Sequence, residues 1–161
     1  MNRDATSFLF MFIGLFSALF MIAYQRPGWE KTAAGITAGL FAGLANMFVE
    51  YLAAEHKIYF VFGLLPVAHS SLALTIGWMS LAVCFTLGSE RLTQYPRPLL
   101  ALAIYVGFGI LAGIFSDYLG EIALGHFKRG PNGNWFYICL AWISLLPATV
   151  FIYKILYKAM K

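Results

Sequence analysis

Four side chains have the type and spacing to move a proton inside apolar surroundings. Asn46 and Glu50 stand four residues apart in "NMFVEYL", and Asp117 and Glu121 stand four apart in "FSDYLGE". On a helix, residues at i and i+4 share a face, so each stretch presents two polar groups on one side. An acid inside a span costs roughly 2.5–3.5 kcal/mol at the helix centre, so those that occur usually face the bundle interior and carry function. Both acids fall near the C-terminal ends of apolar runs, where the helix dipole favours cations. They are not placed for helix stability. Two carboxylates close together in a low-dielectric cleft do not readily ionise together, which leaves one proton donor and one acceptor. The candidate catalytic residues are therefore Glu50 and Asp117 as an acid–base pair, with Glu121 and His69 as further acid–base groups that tune it. Asn46, Tyr51, Tyr118, Trp78 and Trp142 are the candidate substrate-binding residues. The competing reading makes Glu50, Asp117 and Glu121 markers of helix ends in the headgroup layer.

The elements that carry these residues follow from composition. The 161 residues are 61% hydrophobic and only 11% charged, with a mean hydropathy of +0.76. A soluble domain is about 45–50% apolar and about 25% charged, so the sequence reads as an integral membrane protein. The eleven Lys and Arg residues lie singly or in pairs between apolar runs. They form no stripe that would serve a nucleic acid. Cys84 and Cys139 sit inside apolar spans, where a thiol is inert, and His56, His69 and His126 form no metal-binding box. Neither a metal nor another cofactor is implied.

A spanning helix needs about 20 apolar residues, and five runs qualify. They predict an all-α, five-span polytopic bundle forming a single integral membrane domain over 1–161. The first helix covers about 7–24, one helical hairpin about 32–87 and a second about 98–157. The first run is too long for the 7–15-residue core of a signal peptide and reads as a retained span. Pro66 makes 58–66 an interfacial or re-entrant piece, with the true third span beginning near Val67. Five spans place Arg3, Lys57, Lys128 and Arg129 on one side and Arg26, Lys31, Arg91, Arg97, Lys154, Lys158 and Lys161 on the other. The positive-inside rule then sets the N-terminus outside and the C-terminus in the cytoplasm.

The two acid-bearing stretches are partners in a larger repeat. "FVEYL" at 48–52 is followed by "WMSL" at 78–81, and "FSDYL" at 115–119 is followed by "WISL" at 142–145. The chain reads as one helix followed by two copies of a hairpin. Parallel repeats are related by an axis along the membrane normal, which would bring Glu50 and Asp117 to face one another. The expectation is a carboxylate separation within about 8 Å, near enough to share a proton directly or through a water. Gly35, Gly39 and Gly43, and likewise Gly109 and Gly113, have the spacing that lets helices approach closely. The second and fourth helices are thus expected to be the central pair, and their glycine faces also suit self-association. His126, Lys128 and Arg129 in "GHFKRGPNGN" are candidate contacts for a lipid headgroup.

An acid at a helix end, a short loop with aromatic residues and a Trp-bearing helix, occurring twice, resembles small carotenoid-modifying membrane proteins of the lycopene-cyclase-like group and the membrane terpene cyclases. The resemblance covers about 40–145 and is one of pattern. It implies protonation of an isoprenoid double bond or epoxide by paired carboxylates, at the positions of Glu50 and Asp117. The sequence therefore supports a membrane-embedded acid–base enzyme whose partners are membrane lipids and a hydrophobic small-molecule substrate. Two other readings stand beside it. One is a small proton- or cation-coupled transporter, and the other is a non-catalytic assembly subunit.

Overall fold

The computed structural model describes residues 3–67 and 69–161. Five long helices dominate it: α1 (Arg3–Gln25), α2 (Trp29–Glu55), α3 (Leu72–Arg91), α4 (Pro98–Leu119) and α5 (Trp135–Met160). Each lies in a helical segment long and apolar enough to cross a membrane, which fits the all-α class and is compatible with a multi-pass protein. Local signals set several boundaries. Ser71 caps α3 by accepting from the Leu74 amide. Pro98 starts α4, where its missing N–H costs nothing. Asn134 caps α5 by accepting from the Phe136 amide at 2.9 Å.

The packing order differs from the expected central pairing of the second and fourth helices. The centre is α3, whose apolar stretch is 56% buried, whereas that of α4 is 6% buried. α1 and α2 pack on α3, α5 packs on α2, and α4 leans on α5; α2 and α4 scarcely touch. The glycine stripe of α2 explains why. A Cβ at Gly39 would lie 2.7 Å from the Met79 carbonyl oxygen, and one at Gly43 would lie 2.2 Å from Met79 Cγ. That stripe is filled by α3 of the same chain. Gly109 and Gly113 are likewise filled, by Phe85 and Leu146 and by Trp142.

The piece at 58–66, expected to be interfacial or re-entrant, is largely extended chain. Strand β1 (Tyr59–Val61) is followed by β2 (Pro66–Val67) and β3 (Ser70–Ser71), and β4 (Phe127–Arg129) lies between α4 and α5. β1 pairs antiparallel with β4, Tyr59 opposite Arg129, and β2 pairs with β3. The third helix therefore begins at Leu72, later than Val67. Pro66 has no N–H to give a helix, and Leu65 and His69 both have positive φ, so this stretch turns back in the β2–β3 pair, while β1 takes its partners from the distant 127–129 segment. The two hairpin linkers are locked together further on, where the Gly130 amide donates to the Ile58 carbonyl at 2.8 Å. A Cβ at Gly133 would stand 1.9 Å from that same carbonyl oxygen. Gly133→Ala is expected to cost about 1–3 kcal/mol through overpacking, read as a lower melting temperature in detergent. Gly107→Ala, which meets nothing within 4 Å, should leave it unchanged.

The opposite end of the bundle is closed by charge and aromatic contacts. Lys31 pairs with Glu90 at 3.0 Å and lies over the Tyr157 ring, while Arg91 lies over Tyr24. Between the two ends, Ala34, Ala38, Val83, Leu87 and Tyr153 form a packed core.

Candidate functional site

Glu50 is placed near the C-terminal end of α2, where Ala53 and Ala54 leave room for the strand linkers to fold over it. It is only 6% exposed. Asn46, one turn earlier, donates from Nδ2 to Glu50 Oε1 at 2.6 Å. Glu50 Oε2 is in hydrogen-bond contact with Ser70 Oγ. Ser70 Oγ also lies 3.2 Å from Thr75 Oγ1, and the Thr75 hydroxyl donates to the Ser71 carbonyl at 3.0 Å. Both lone-pair faces of the carboxyl are thus held by polar neighbours, as a buried acid requires.

Asp117 enters from α4. The indole Nε1 of Trp142 on α5 donates to its Oδ2 at 2.7 Å. Glu50 and Asp117 line one cavity of about 30 Å³, walled by Tyr59, Trp78, Phe127 and Trp142. Space of that size accommodates about one water. Glu50 and Asp117 line this cavity without direct packing of their own helices. Tyr59, in the linker strand, is 7% exposed. Burial first, and then the nearby Glu50 and Asp117, push its phenol well above the ordinary 10. It therefore stays a neutral hydroxyl at the mouth of the site.

The acid cavity adjoins a larger apolar one of about 390 Å³ lined by residues of all five long helices. Asn46, Trp78, Trp142 and Leu145 wall both. Phe10, Trp78 and Trp142 form an edge-to-face series with ring centroids 4.9 and 4.7 Å apart. At the far end, Tyr105 stacks on Phe85 and donates to its carbonyl at 3.2 Å. The peripheral position of α4 leaves this space open.

Several sequence candidates lie elsewhere. Glu121 turns away from Asp117 and receives both a 2.8 and a 2.9 Å bond from Arg129 Nε. The helix there widens into a π turn over Gly120–Leu124, which breaks the i,i+4 alignment of Asp117 and Glu121. His69 also stands outside the acid cavity, exposed, 3.4 Å from Glu55 and against the Tyr51 ring. Tyr51 and Tyr118 are both exposed, and Tyr118 leans on Trp135. Lys128 and Arg129 are exposed as headgroup contacts would be. His126 is not. It is 8% exposed, its Nδ1 has no partner among the described residues, and its ring fills the space a Cβ at Gly120 would take.

Burial lowers the His126 imidazole below its ordinary 6.5. A folded value below the unfolded one means the unfolded chain binds the extra proton first, so stability is present above about pH 6.5 and is lost as pH falls through that range. Melting in detergent between pH 8 and pH 5 is expected to show this loss. His126→Phe, which keeps a ring but cannot titrate, should flatten it.

Ser70, Thr75 and Tyr59 were not among the sequence candidates. The available signal was the Ser70-Ser71 doublet inside an apolar run, where attention falls on the adjacent His69. Among the described residues, no three His, Cys, Asp or Glu side chains converge as a metal site. The chain matches no protein-family model, curated protein or solved structure.

Proposed function

We propose that the chain is a multi-pass membrane enzyme in which Glu50 and Asp117 act as general acid and base on an isoprenoid or other lipid. The N-terminus would lie outside and the C-terminus in the cytoplasm, as the distribution of Lys and Arg favours. The observation that carries the reading is the pair of adjoining cavities. Both carboxylates line the small polar one, and Trp78 and Trp142 separate it from an apolar space of about 390 Å³. A hydrocarbon chain placed in the apolar cavity would present one end to a donor and an acceptor shielded from water, where proton transfer between fixed groups is effective. The indole faces suit the positive charge that develops when a double bond is protonated. Acid-driven cyclisation or isomerisation is the reaction class, as the resemblance to lycopene-cyclase-like proteins and membrane terpene cyclases implies.

A duplicated hairpin would support the same site. The Trp residues of "WMSL" and "WISL" meet at 4.7 Å, and the acids of "FVEYL" and "FSDYL" share a cavity. These are the contacts a pseudo-twofold axis between two hairpins would create.

The test is to express the protein in cells supplied with candidate isoprenoids and compare extracted lipids with those from Glu50→Gln and Asp117→Asn. A product present only with the unmutated chain is expected. Identical lipid profiles from all three, at equal amounts of folded protein, would refute the enzyme reading. Solute uptake in proteoliposomes that collapses on neutralising Glu50 would assign the site to transport instead.

A further inference from the structure

The large apolar cavity has strong hydrogen-bonding groups left unused at one end. At its far end Tyr105 gives its proton to the Phe85 carbonyl at 3.2 Å, and Thr149 gives its own to the Leu145 carbonyl one turn back at 2.7 Å. A hydroxyl on a helix is commonly settled in this second way, and Ser80 does the same with the Ile76 carbonyl. Ser116 does not. It lines the same cavity, immediately before Asp117 in the chain, and its hydroxyl has no partner among the described residues. Asn46 donates from Nδ2 to Glu50, but its amide oxygen accepts nothing among the described residues. The Trp78 indole N–H is likewise without a partner among them. Asn46 and Trp78 wall both the acid cavity and the apolar one, so the unused groups gather at the acid end.

We infer that the ligand of this cavity is a long-chain alcohol, bound with its hydroxyl at the acid end and its tail running towards Tyr105 and Phe85. A hydroxyl has one proton to give and two lone pairs. The unused groups call for that combination: the Asn46 oxygen needs a donor, the Trp78 N–H needs an acceptor, and Ser116 serves as either. A bare hydrocarbon would leave all three unmet in apolar surroundings, where each is costly. A carbonyl only accepts and would leave the Asn46 oxygen unmet, whereas an ammonium only donates and would leave the Trp78 N–H unmet. A carboxylate or phosphate would set further negative charge beside Glu50 and Asp117, where like charges repel. The tail is limited by the space. From Tyr105 to Ser116 is about 16 Å along α4 at 1.5 Å per residue. A volume of about 390 Å³ holds about 13 groups of roughly 30 Å³, the share of one water and close to that of a methylene. This inference rests on the reading of the site as one that acts on a lipid, and it adds the lipid's class and direction. The hydroxyl end, and not the tail, faces the two acids.

The experiment is a binding measurement on the full chain in lipid nanodiscs, with no turnover required. The probes are tetradecanol brominated beside its hydroxyl end and the matching brominated tetradecane, read by the saturable quenching of Trp78 and Trp142 fluorescence. The alcohol is expected to bind about 10-fold tighter than the alkane or better, as two or three neutral hydrogen bonds would give. Ser116→Ala should weaken the alcohol about 2–10-fold, the net value of one such bond. It should leave alkane binding and melting temperature unchanged, because the Ser116 hydroxyl holds nothing in the fold. Ser116→Thr, which keeps a hydroxyl, should retain the preference for the alcohol. Ala112→Leu, whose side chain enters the same cavity, should weaken both probes. Farnesol displacing the probe better than unbrominated tetradecanol would mark the alcohol as isoprenoid, and the reverse order would mark it as unbranched. Equal binding of alcohol and alkane would overturn the inference and show a groove that takes any hydrocarbon chain of the bilayer. An alcohol preference untouched by Ser116→Ala, or no saturable quenching by either probe in folded protein, would also overturn it. Since binding is read without product, the alcohol site can stand where no lipid product is found, and it can fail where a product is found.

Discussion

Asp117→Asn and Glu50→Gln are each expected to reduce lipid conversion by about 10²–10⁴-fold, the range spanned by a positioned general acid or base, while the bundle stays folded. The two substitutions are conservative for different reasons. An Asn at 117 keeps an amide oxygen to accept the Trp142 indole N–H, which now lies 2.7 Å from Asp117 Oδ2. A Gln at 50 keeps an oxygen for Asn46 and sets an NH2 against the Ser70 hydroxyl oxygen, which can accept in place of donating to Glu50. Both keep the oxygen that accepts from Asn46 or Trp142, so neither donor is left orphaned, which is the usual source of large destabilisation. Rates in nanodiscs, normalised to protein of unchanged melting temperature, separate chemistry from folding. Under the proposed function the two acids serve one proton cycle, so the double variant should be little slower than the worse single one. Equal turnover in either single variant would remove that carboxyl from the chemistry.

How much of this site the sequence carried depends on the range of the interactions that build it. The five helices were legible because each apolar run signals its own span, and the observed α2 and α5 differ from expectation only at their ends. Glu50 and Asp117, which line one cavity, were legible as candidates because "FVEYL" and "FSDYL" share a pattern. What failed was the inference from glycine spacing to helix partner. Gly35, Gly39 and Gly43 announce that something approaches closely, but spacing does not say what, and the partner is α3. Glu121 failed because the i,i+4 rule presumes a continuous α-helix. The π turn at Gly120–Leu124 shifts the face, and the Gly125 amide closes on the Gly120 carbonyl at 2.8 Å. Ser70 was hidden for a similar reason. It reaches Glu50 only because Leu65 and His69 adopt left-handed backbone and turn the linker back over α2. Such turns at residues other than glycine are uncommon, and nothing in the local composition announces them.

Gly113→Ala is the smallest change expected to have a large effect on turnover. Gly113 occupies the position on α4 one turn before Asp117, and a Cβ there would lie 2.5 Å from Trp142 Cδ2 and Cε3. Carbon atoms in contact need about 3.5–4.0 Å, so the indole would have to withdraw by roughly 1 Å. It is held in place by an edge-to-face contact with Trp78 at 4.7 Å and by the bond from its Nε1 to Asp117. Withdrawal loosens both at once and leaves Asp117 without the donor that orients it. Misplacement of a reacting group by about 1 Å can cost about 10²-fold, and that is the expected fall in kcat/KM. Trp142→Phe, which keeps a ring but cannot donate, should fall by a similar factor. Since both act through one bond, the double variant should lose little more than either alone. A structural fault alone would not produce that non-additivity. The near-ultraviolet dichroism of the Trp78–Trp142 pair reports the displacement directly. It should weaken in Gly113→Ala and stay unchanged in Gly107→Ala, whose Cβ would meet nothing within 4 Å. Full turnover in Gly113→Ala with an altered tryptophan signal would show that the Trp142 contact does not position Asp117 for chemistry.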